Sequence, residues 1–355
     1  MTARLLFLAC GVGLLICSGE PDSPASSFVA DPPPTPSSHA STIVELAPGQ
    51  LMAAWFGGTA EGRNDVAIWG GRFQDNHWLP AVELTREPNI PCWNPVLFHT
   101  PDGVLWLYYK FGPSPQQWTA ARMSSRDGGR TWSAPEHLPA GIYGPIRAKP
   151  LVLPSGLIVS GTSVESYRSW AAWIERSTDN GKTWTRHGPI VPPEGGMIQP
   201  SVVQVAGDHL RLYARTDKAG RIAVSDSFDA GITWSPARLT ELPNPNSGLD
   251  VIRLKDGRYL AVYNHTTRGR TPLNLAISTD GGHWAPLQTL ESEPGEYSYP
   301  SMIQTSDGAI HIVYTWRRQK IKHVVVPLPV SPAVSGEVSI DHRGCEQAGL
   351  EDLIF

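Results

Sequence analysis

Six apolar runs of this chain are each entered through residues of types that do chemistry. In chain order these are His39, Trp93 with Asn94, Ile146 with Arg147, Gln199, Ser247 with Gly248, and Tyr299. Lys149 follows Arg147 between apolar runs. A second set lies further along the same units: Glu61 and Asp65, Lys110, Glu165, Arg215, and Arg268 with Arg270. Arginine grips a carboxylate through paired, planar hydrogen bonds that lysine cannot imitate. Several arginines beside an acidic pair therefore point to a ligand that carries a carboxylate. Glu61 and Asp65 are the candidate proton donors, and Tyr299 is a candidate nucleophile or proton donor. Any one of these charges alone reads as a solvated loop residue; the argument rests on their recurrence at equivalent places.

Those places are set by a repeat of roughly fifty residues. The segment Ser125 to Trp132, with Asp127, Gly129 and Thr131, recurs from Ser177 to Trp184 and from Ser227 to Trp234, and a shortened copy runs from Ser278 to Trp284. The four tryptophans are 52, 50 and 50 residues apart, and a worn version ends at Trp78. The chemistry of this pattern is structural: glycine takes a positive φ, Ser and Asp bond the turn's own backbone, and Trp packs against neighbouring strands. In phase with it run six short turns, at Pro48-Gly49, Asp102-Gly103, Ser155-Gly156, Gly207-Asp208, Asp256-Gly257 and Asp307-Gly308, each between apolar runs. Six hairpins with room for four strands each predict an all-β, six-bladed propeller of four-stranded antiparallel blades. Its first strands line a central channel, and the residues entering them ring one mouth. An N-terminal strand near Ser26 to Ala30 is expected to complete the last blade.

Composition agrees with a packed, secreted β domain. The 355 residues are 41% hydrophobic and 17% charged, with 13 Trp and 67 Gly plus Pro, which suits many short strands and tight turns. A net charge of −4 without a basic block argues against a nucleic-acid partner. Arg4 followed by the apolar run Leu5 to Cys17 reads as a signal peptide over residues 1–19, too short for a comfortable membrane span. A lipoprotein anchor at Cys17 is the weaker variant, because Ile16 is bulky. The propeller is assigned to residues 20–330 and a tail without repeat character to 331–355. After the leader only Cys92 and Cys345 remain, a pair that an oxidising compartment permits to bridge. No Cys/His cluster has metal-ligand spacing, and no cofactor is expected.

The boxes, the period and the last blade resemble the bacterial sialidases (neuraminidases) and their BNR-repeat relatives, over nearly all of the mature chain. Tyr299-Pro-Ser-Met302, the Asp307-Gly308 turn and Val313-Tyr314-Thr315 match the spacing of the family's nucleophile strand. The resemblance implies a tyrosine nucleophile at Tyr299, carboxylate-binding arginines at Arg215 and Arg270, and an acid/base in the loop holding Glu61 and Asp65. Two positions depart from the pattern: His39 stands where the family has its first arginine, and Gln199 stands where it has the glutamate that activates the tyrosine. An amide cannot accept the phenol proton, so Tyr299 is expected near its ordinary pKa of about 10. The segments His39 to Thr42 and Asn244 to Gly248, the latter including Asn246, are similar to a predicted exo-sialidase branch.

Three functions remain open at this point. In a glycoside hydrolase acting on a terminal acidic sugar, Tyr299 attacks or stabilises the sugar cation, Glu61 or Asp65 protonates the leaving oxygen, and Arg215, Arg270, Arg147 and Lys149 hold the acid, with Trp93, Asn94 and Asn246 around them. In a polysaccharide lyase, His39 or His265 takes the proton beside a uronic carboxylate, Tyr299 donates and Arg215 neutralises. In a non-catalytic propeller the same cavity binds an acidic oligosaccharide or polysaccharide without turnover.

Overall fold

The computed structural model describes residues 25–328. The expected leader, the tail from 331 and Cys345 lie outside the described residues; Cys92 is buried in the core.

Alternation of apolar and polar residues in short runs bounded by Gly, Asp and Pro produces six antiparallel sheets arranged as a propeller. The blade-opening strands are Ser37–Ala47, Cys92–His99, Leu151–Val152, Met197–Ala206, Asp250–Arg253 and Tyr297–Gln304. Each pairs with the strand beyond its predicted turn, so all six hairpins stand where the turn residues placed them. Ala25–Phe28 pairs antiparallel with Lys320–Val326, so the N-terminal strand completes the last blade and closes the ring.

The Ser-x-Asp-x-Gly-x-Thr-Trp segments form the turns between third and fourth strands. In the box at Asp229 the carboxylate accepts bonds from the backbone N–H of Ile232 (3.0 Å) and Thr233 (2.9 Å) and from the Ser227 hydroxyl (2.8 Å), while the Ser227 oxygen accepts the Gly231 N–H at 2.8 Å. The boxes also join blades. Arg72 donates to Gly128 O, Arg122 to Gly181 O, Arg176 to Ala230 O and Arg211 to Asp280 O, each reaching from one blade into the box of the next. The first blade has no box. Asp75 and Asn76 form a left-handed two-residue turn there, and Trp78 is a partner for His323 of the last blade.

Strands alternate in direction, so the first-to-second-strand turns and the boxes lie on one face and the entries to the inner strands on the other. At those entries four blades carry the same irregularity. The register skips one residue between His39 and Thr42, Trp93 and Val96, Ile198 and Ser201, and Ser298 and Ser301. The extra residue is left-handed in each: Ala40 (φ 53°), Asn94 (38°), Gln199 (56°) and Tyr299 (50°). A β-bulge bends its strand and re-aims a side chain, and holding a non-glycine residue there costs roughly 1–2 kcal/mol. Three of the four are followed by proline, which has no N–H to lose from the ladder. The repeated bulge is what turns Asn94, Gln199 and Tyr299 toward one mouth of the channel.

Candidate active site

Tyr299 is the hub of that mouth. Its phenol oxygen accepts a 2.6 Å bond from Nη1 of Arg215. The same Nη1 donates to Gln199 Oε1 at 3.0 Å, and Arg215 Nε donates to Asn246 Oδ1 at 2.8 Å. Arg215 and Ile198 are cross-strand partners, so the bulged residue after Ile198 is delivered beside the guanidinium. Asn246 is held by a turn in which Asn244 donates to Ser247 O and accepts the Ser247 N–H. Three guanidinium carbons surround the Tyr299 ring: Arg270 at 5.3 Å, Arg147 at 5.5 Å and Arg215 at 5.6 Å from its centroid. The His39 ring packs on it at 4.5 Å.

Arg147 reaches across the channel from the third blade to donate to Pro300 O of the sixth. Lys149 also crosses, to Ser301 Oγ at 2.7 Å and Asp250 Oδ2 at 3.4 Å. Lys149 therefore belongs to a floor beneath the site. Beyond that floor the channel opens on the opposite face into a cavity of about 690 Å³, lined by Val44, Val152, Val202, Val251 and Ile303. The titratable side chains that meet at Tyr299 lie on the other side of the floor, so we place the site there rather than in this mostly apolar cavity.

Arg270 is fixed by its loop. Asn264 Nδ2 donates to Arg270 O, Pro272 O and Tyr297 O. Its guanidinium bridges Glu296 at 3.0 Å. Glu296 also takes Arg318 Nε at 2.8 Å and the Ser298 hydroxyl at 3.0 Å. Burial pushes the Glu296 carboxyl up, but Arg318 and Arg270 hold it net below the usual glutamate range. Arg318 continues to Glu61, joining Glu61, Arg318, Glu296 and Arg270 into one network at the mouth. Arg318 sits with Arg317 in a left-handed two-residue turn of the last blade, and in the sequence it reads as an ordinary charged turn.

The environment shifts several pKa values. Burial pushes the Tyr299 phenol up; Arg215 and Arg270 outweigh it, against Glu61 and Glu165, and bring the phenol below the ordinary tyrosine range. The expectation of an unperturbed tyrosine is corrected here: the arginines hold the phenol below its ordinary range. His39 is 1% exposed, and neither ring nitrogen has a hydrogen-bond partner among the described residues. Burial first, then Arg318, Arg270, Arg147 and Arg215, hold its pKa well below the usual histidine value, so the imidazole is neutral at neutral pH. Glu165 is 8% exposed, and burial pushes its carboxyl up to about 7 against the pull of Arg215.

Other expected site residues are placed elsewhere. Asp65 is exposed and spends both kinds of bond on Thr59, accepting its N–H at 2.9 Å and its hydroxyl at 2.5 Å; the hydroxyl bond is the main cause of its lowered pKa. That leaves Glu61 as the member of the pair at the mouth. His265 is exposed and bonds Tyr263 on the flank of the fifth blade. Lys110 is fully buried between blades, donating to Pro145 O at 2.8 Å. Trp93 forms wall, its indole N–H donating to Gly112 O and its ring lying edge-on to Phe56 and Trp118. Asn94 stands beside it at the bulge. No group of three or more His, Cys, Asp or Glu side chains that could hold a metal ion occurs among the described residues, and no helix there is long and apolar enough to cross a membrane.

A six-bladed propeller whose boxed turns lie opposite a cationic, tyrosine-centred mouth defines a sialidase-like protein. The sequence matches the BNR repeat-like domain over residues 49–312, and the chain belongs to that family. Among solved structures it is similar to a protein of unknown function from Dyadobacter fermentans, with 16% identity, a TM-score of 0.70, and 81% of this chain and 94% of that one covered. The NanB sialidase of Streptococcus pneumoniae aligns at 12% identity and a TM-score of 0.69, covering 83% of this chain and 69% of that one. The intramolecular trans-sialidase of Ruminococcus gnavus aligns at 14% identity and 0.68, covering 86% and 98%. At these identities the likeness establishes the fold. No curated protein sequence matches the chain significantly.

Proposed function

We propose that the chain is an exported glycoside hydrolase of the sialidase type that releases a terminal acidic sugar, sialic acid or a related acid, from a glycoconjugate or polysaccharide. The observation that carries this reading is the 2.6 Å bond from Arg215 to the Tyr299 phenol, inside a ring that also holds Arg147 and Arg270. Such a ring binds a carboxylate and favours the phenolate. The phenolate oxygen attacks the anomeric carbon as the bond to the leaving oxygen breaks. Glu61, at the rim, protonates that oxygen; water then displaces tyrosine. A tyrosine nucleophile is a known exception to the two-carboxylate scheme of glycosidases.

A lyase is the second reading, and His39 favours it. Its neutral, unpartnered imidazole packs on Tyr299 as a base that the surrounding arginines weaken, and Gln199 and Asn246 are uncharged partners for a developing enolate. The two readings separate on one measurement. The purified chain is incubated with sialylated oligosaccharides and with uronic-acid polymers. Free acid gained with one water by mass supports the hydrolase, whereas a product carrying a new C=C absorbance supports the lyase. Binding without either product rejects both.

A further inference from the structure

The third blade reaches the mouth by a different route from its neighbours. Its opening strand is only Leu151–Val152, against Ser37–Ala47, Met197–Ala206 and Tyr297–Gln304 in the first, fourth and sixth blades. Its register has no bulge, and residues 142–150, which include Arg147, lie outside any strand. The backbone groups of this segment therefore need partners other than a ladder.

Two buried charges supply them. The Glu175 carboxylate, on the third strand of the same blade (Trp170–Ser177), accepts the Tyr143 N–H at 2.9 Å through Oε1 and the Gly144 N–H at 2.6 Å through Oε2. Lys110 Nζ, on the second strand of the second blade (Leu105–Phe111), donates to Pro145 O at 2.8 Å. The Ile146 N–H then donates to Gly161 O at 3.1 Å. Four successive residues are thus held, up to the one before Arg147. Glu175 and Lys110 are both fully buried. Gly144 fits the bend with a φ of 61°, and a Cβ there would meet Tyr108 Cδ1 at 2.5 Å.

Burying a charge is costly, and here two of opposite sign, from neighbouring blades, grip the backbone of one short segment. That segment ends on a side chain with little to hold it. Arg147 is 2% exposed; it donates to Pro300 O, and its Nε and Nη1 have no partner among the described residues. Its guanidinium carbon lies 5.5 Å from the centroid of the Tyr299 ring. Gly248 leaves room beside both, since a Cβ there would meet Arg147 Nε at 3.2 Å and Tyr299 Cδ1 at 3.3 Å. The place of this guanidinium is set largely by its backbone.

We infer that Glu175 and Lys110 are positioning residues of the mouth, a clamp between the second and third blades that fixes residues 143–145 and so aims Arg147 at Tyr299 and at the acid the site binds. The clamp does for the third blade what the bulges do for the second, fourth and sixth. It rests on the hydrolase reading only for the substrate that Arg147 holds, and the measurements keep the two apart.

The first measurement needs no variant. Hydrogen exchange in the full chain is resolved at the Tyr143, Gly144 and Ile146 amides, which are expected to exchange slowly although they belong to no strand; exchange at the rate of a free loop overturns the inference. The second compares E175Q, K110M, R147Q and E175Q/R147Q, each with and without Y299F, so that the ultraviolet phenolate transition of Tyr299 is read by difference. Loss of the Arg147 charge in R147Q raises that transition by about one pH unit, the effect of a cation removed from beside the phenol. E175Q and K110M raise it by about half as much or more, and E175Q adds nothing in the R147Q background. A transition unmoved in R147Q, or unmoved in both E175Q and K110M, or full additivity in the double variant, overturns the inference. Where a variant does not fold, the exchange of the parent decides. On a methylumbelliferyl sialoside, E175Q and K110M raise KM by about tenfold with a smaller change in kcat, as R147Q does, the pattern of lost substrate binding; a fall in kcat at unchanged KM overturns the role. A parent that cleaves no sialoside overturns the hydrolase reading, and the exchange and the titration then decide the clamp by themselves.

Discussion

Arg215 and Tyr299 lie 84 residues apart in the chain and share a 2.6 Å hydrogen bond between the fourth and sixth blades. The guanidinium is fixed on two further sides, by Gln199 and Asn246. Its Nη2 makes no bond to a described residue and is the edge left for a ligand. One side chain therefore couples recognition of an acid to the state of the phenol. Substrate carboxylate and phenolate both draw on the same planar cation.

Replacing Arg215 by Lys tests that coupling. Lysine keeps the charge but is a point donor and cannot hold Gln199, Asn246, Tyr299 and a ligand at once. Loss of a charged hydrogen bond in a buried site costs about 1.5–3 kcal/mol, so Arg215→Lys is expected to raise KM and lower kcat, each at least tenfold. Arg270→Ala, whose guanidinium does not bond the phenol, is expected to raise KM for acidic substrates with a smaller effect on kcat. Steady-state kinetics on one acidic glycoside decide it; equal effects of the two variants on kcat count against the coupling.

Tyr299→Phe removes one oxygen and leaves the ring packed against His39 and the three arginines. Turnover is expected to fall by three orders of magnitude or more, while calorimetric affinity for an acidic sugar stays within about fivefold of wild type. The reason is that the arginine ring survives, whereas the attacking atom does not. Retained turnover in Tyr299→Phe takes this residue out of the mechanism.

The blade count, the hairpins, the ring closure and the mouth residues were legible because each follows from local pattern: turn residues at a fixed period and polar residues entering apolar strands. Arg215, Tyr299, Gln199 and Arg147 follow from that register. What stayed hidden depends on where a side chain ends. Asp65 stands four residues from Glu61 and looks equivalent to it, but a threonine hydroxyl captures it. His265 turns outward to Tyr263. Arg318 lies in a turn whose sequence, Trp316 to Lys320, is indistinguishable from a solvated one; only the left-handed backbone of Arg317 and Arg318 brings it over the channel. The bulges had a readable trace in the proline after Asn94, Gln199 and Tyr299. Glu165 was visible as a charge at an inward strand end, but its burial was not.

The titration of Glu165 carries a stability signature of known sign. Burial raises its folded pKa to about 7 from the ordinary 4.5. Below the unfolded value both states hold the proton and nothing is lost. As pH rises from there toward 7 the unfolded chain releases the proton first, so stability falls; above 7 the full cost of burying the charge is present. Glu165→Gln is therefore expected to match wild type at pH 4 and to be more stable at pH 8, by on the order of 3 kcal/mol if the whole shift is realised. Urea unfolding at the two pH values measures it. A difference that stays constant with pH contradicts the buried carboxyl.

The boxed turns make the last case, because they place stability and function on opposite faces. Asp229 shapes its turn through Ile232, Thr233 and Ser227, and Arg176 of the preceding blade donates to Ala230 O of that same turn at 2.9 Å. Asp229→Ala releases the turn; Arg176→Ala releases the neighbour that grips it. Each is expected to cost about 1–2 kcal/mol, the scale of a few partly exposed hydrogen bonds. The two losses fall on one turn, so the double variant is expected to fall short of their sum by about 0.5 kcal/mol or more, as residues in one bonded network do. Affinity of the folded fraction for an acidic sugar is expected to be unchanged, since the box lies on the face away from Tyr299. Chemical denaturation of the four proteins together with calorimetry provides both readings. Additive losses would show that box and arginine act separately, and lost affinity at unchanged stability would show that the boxes reach the site.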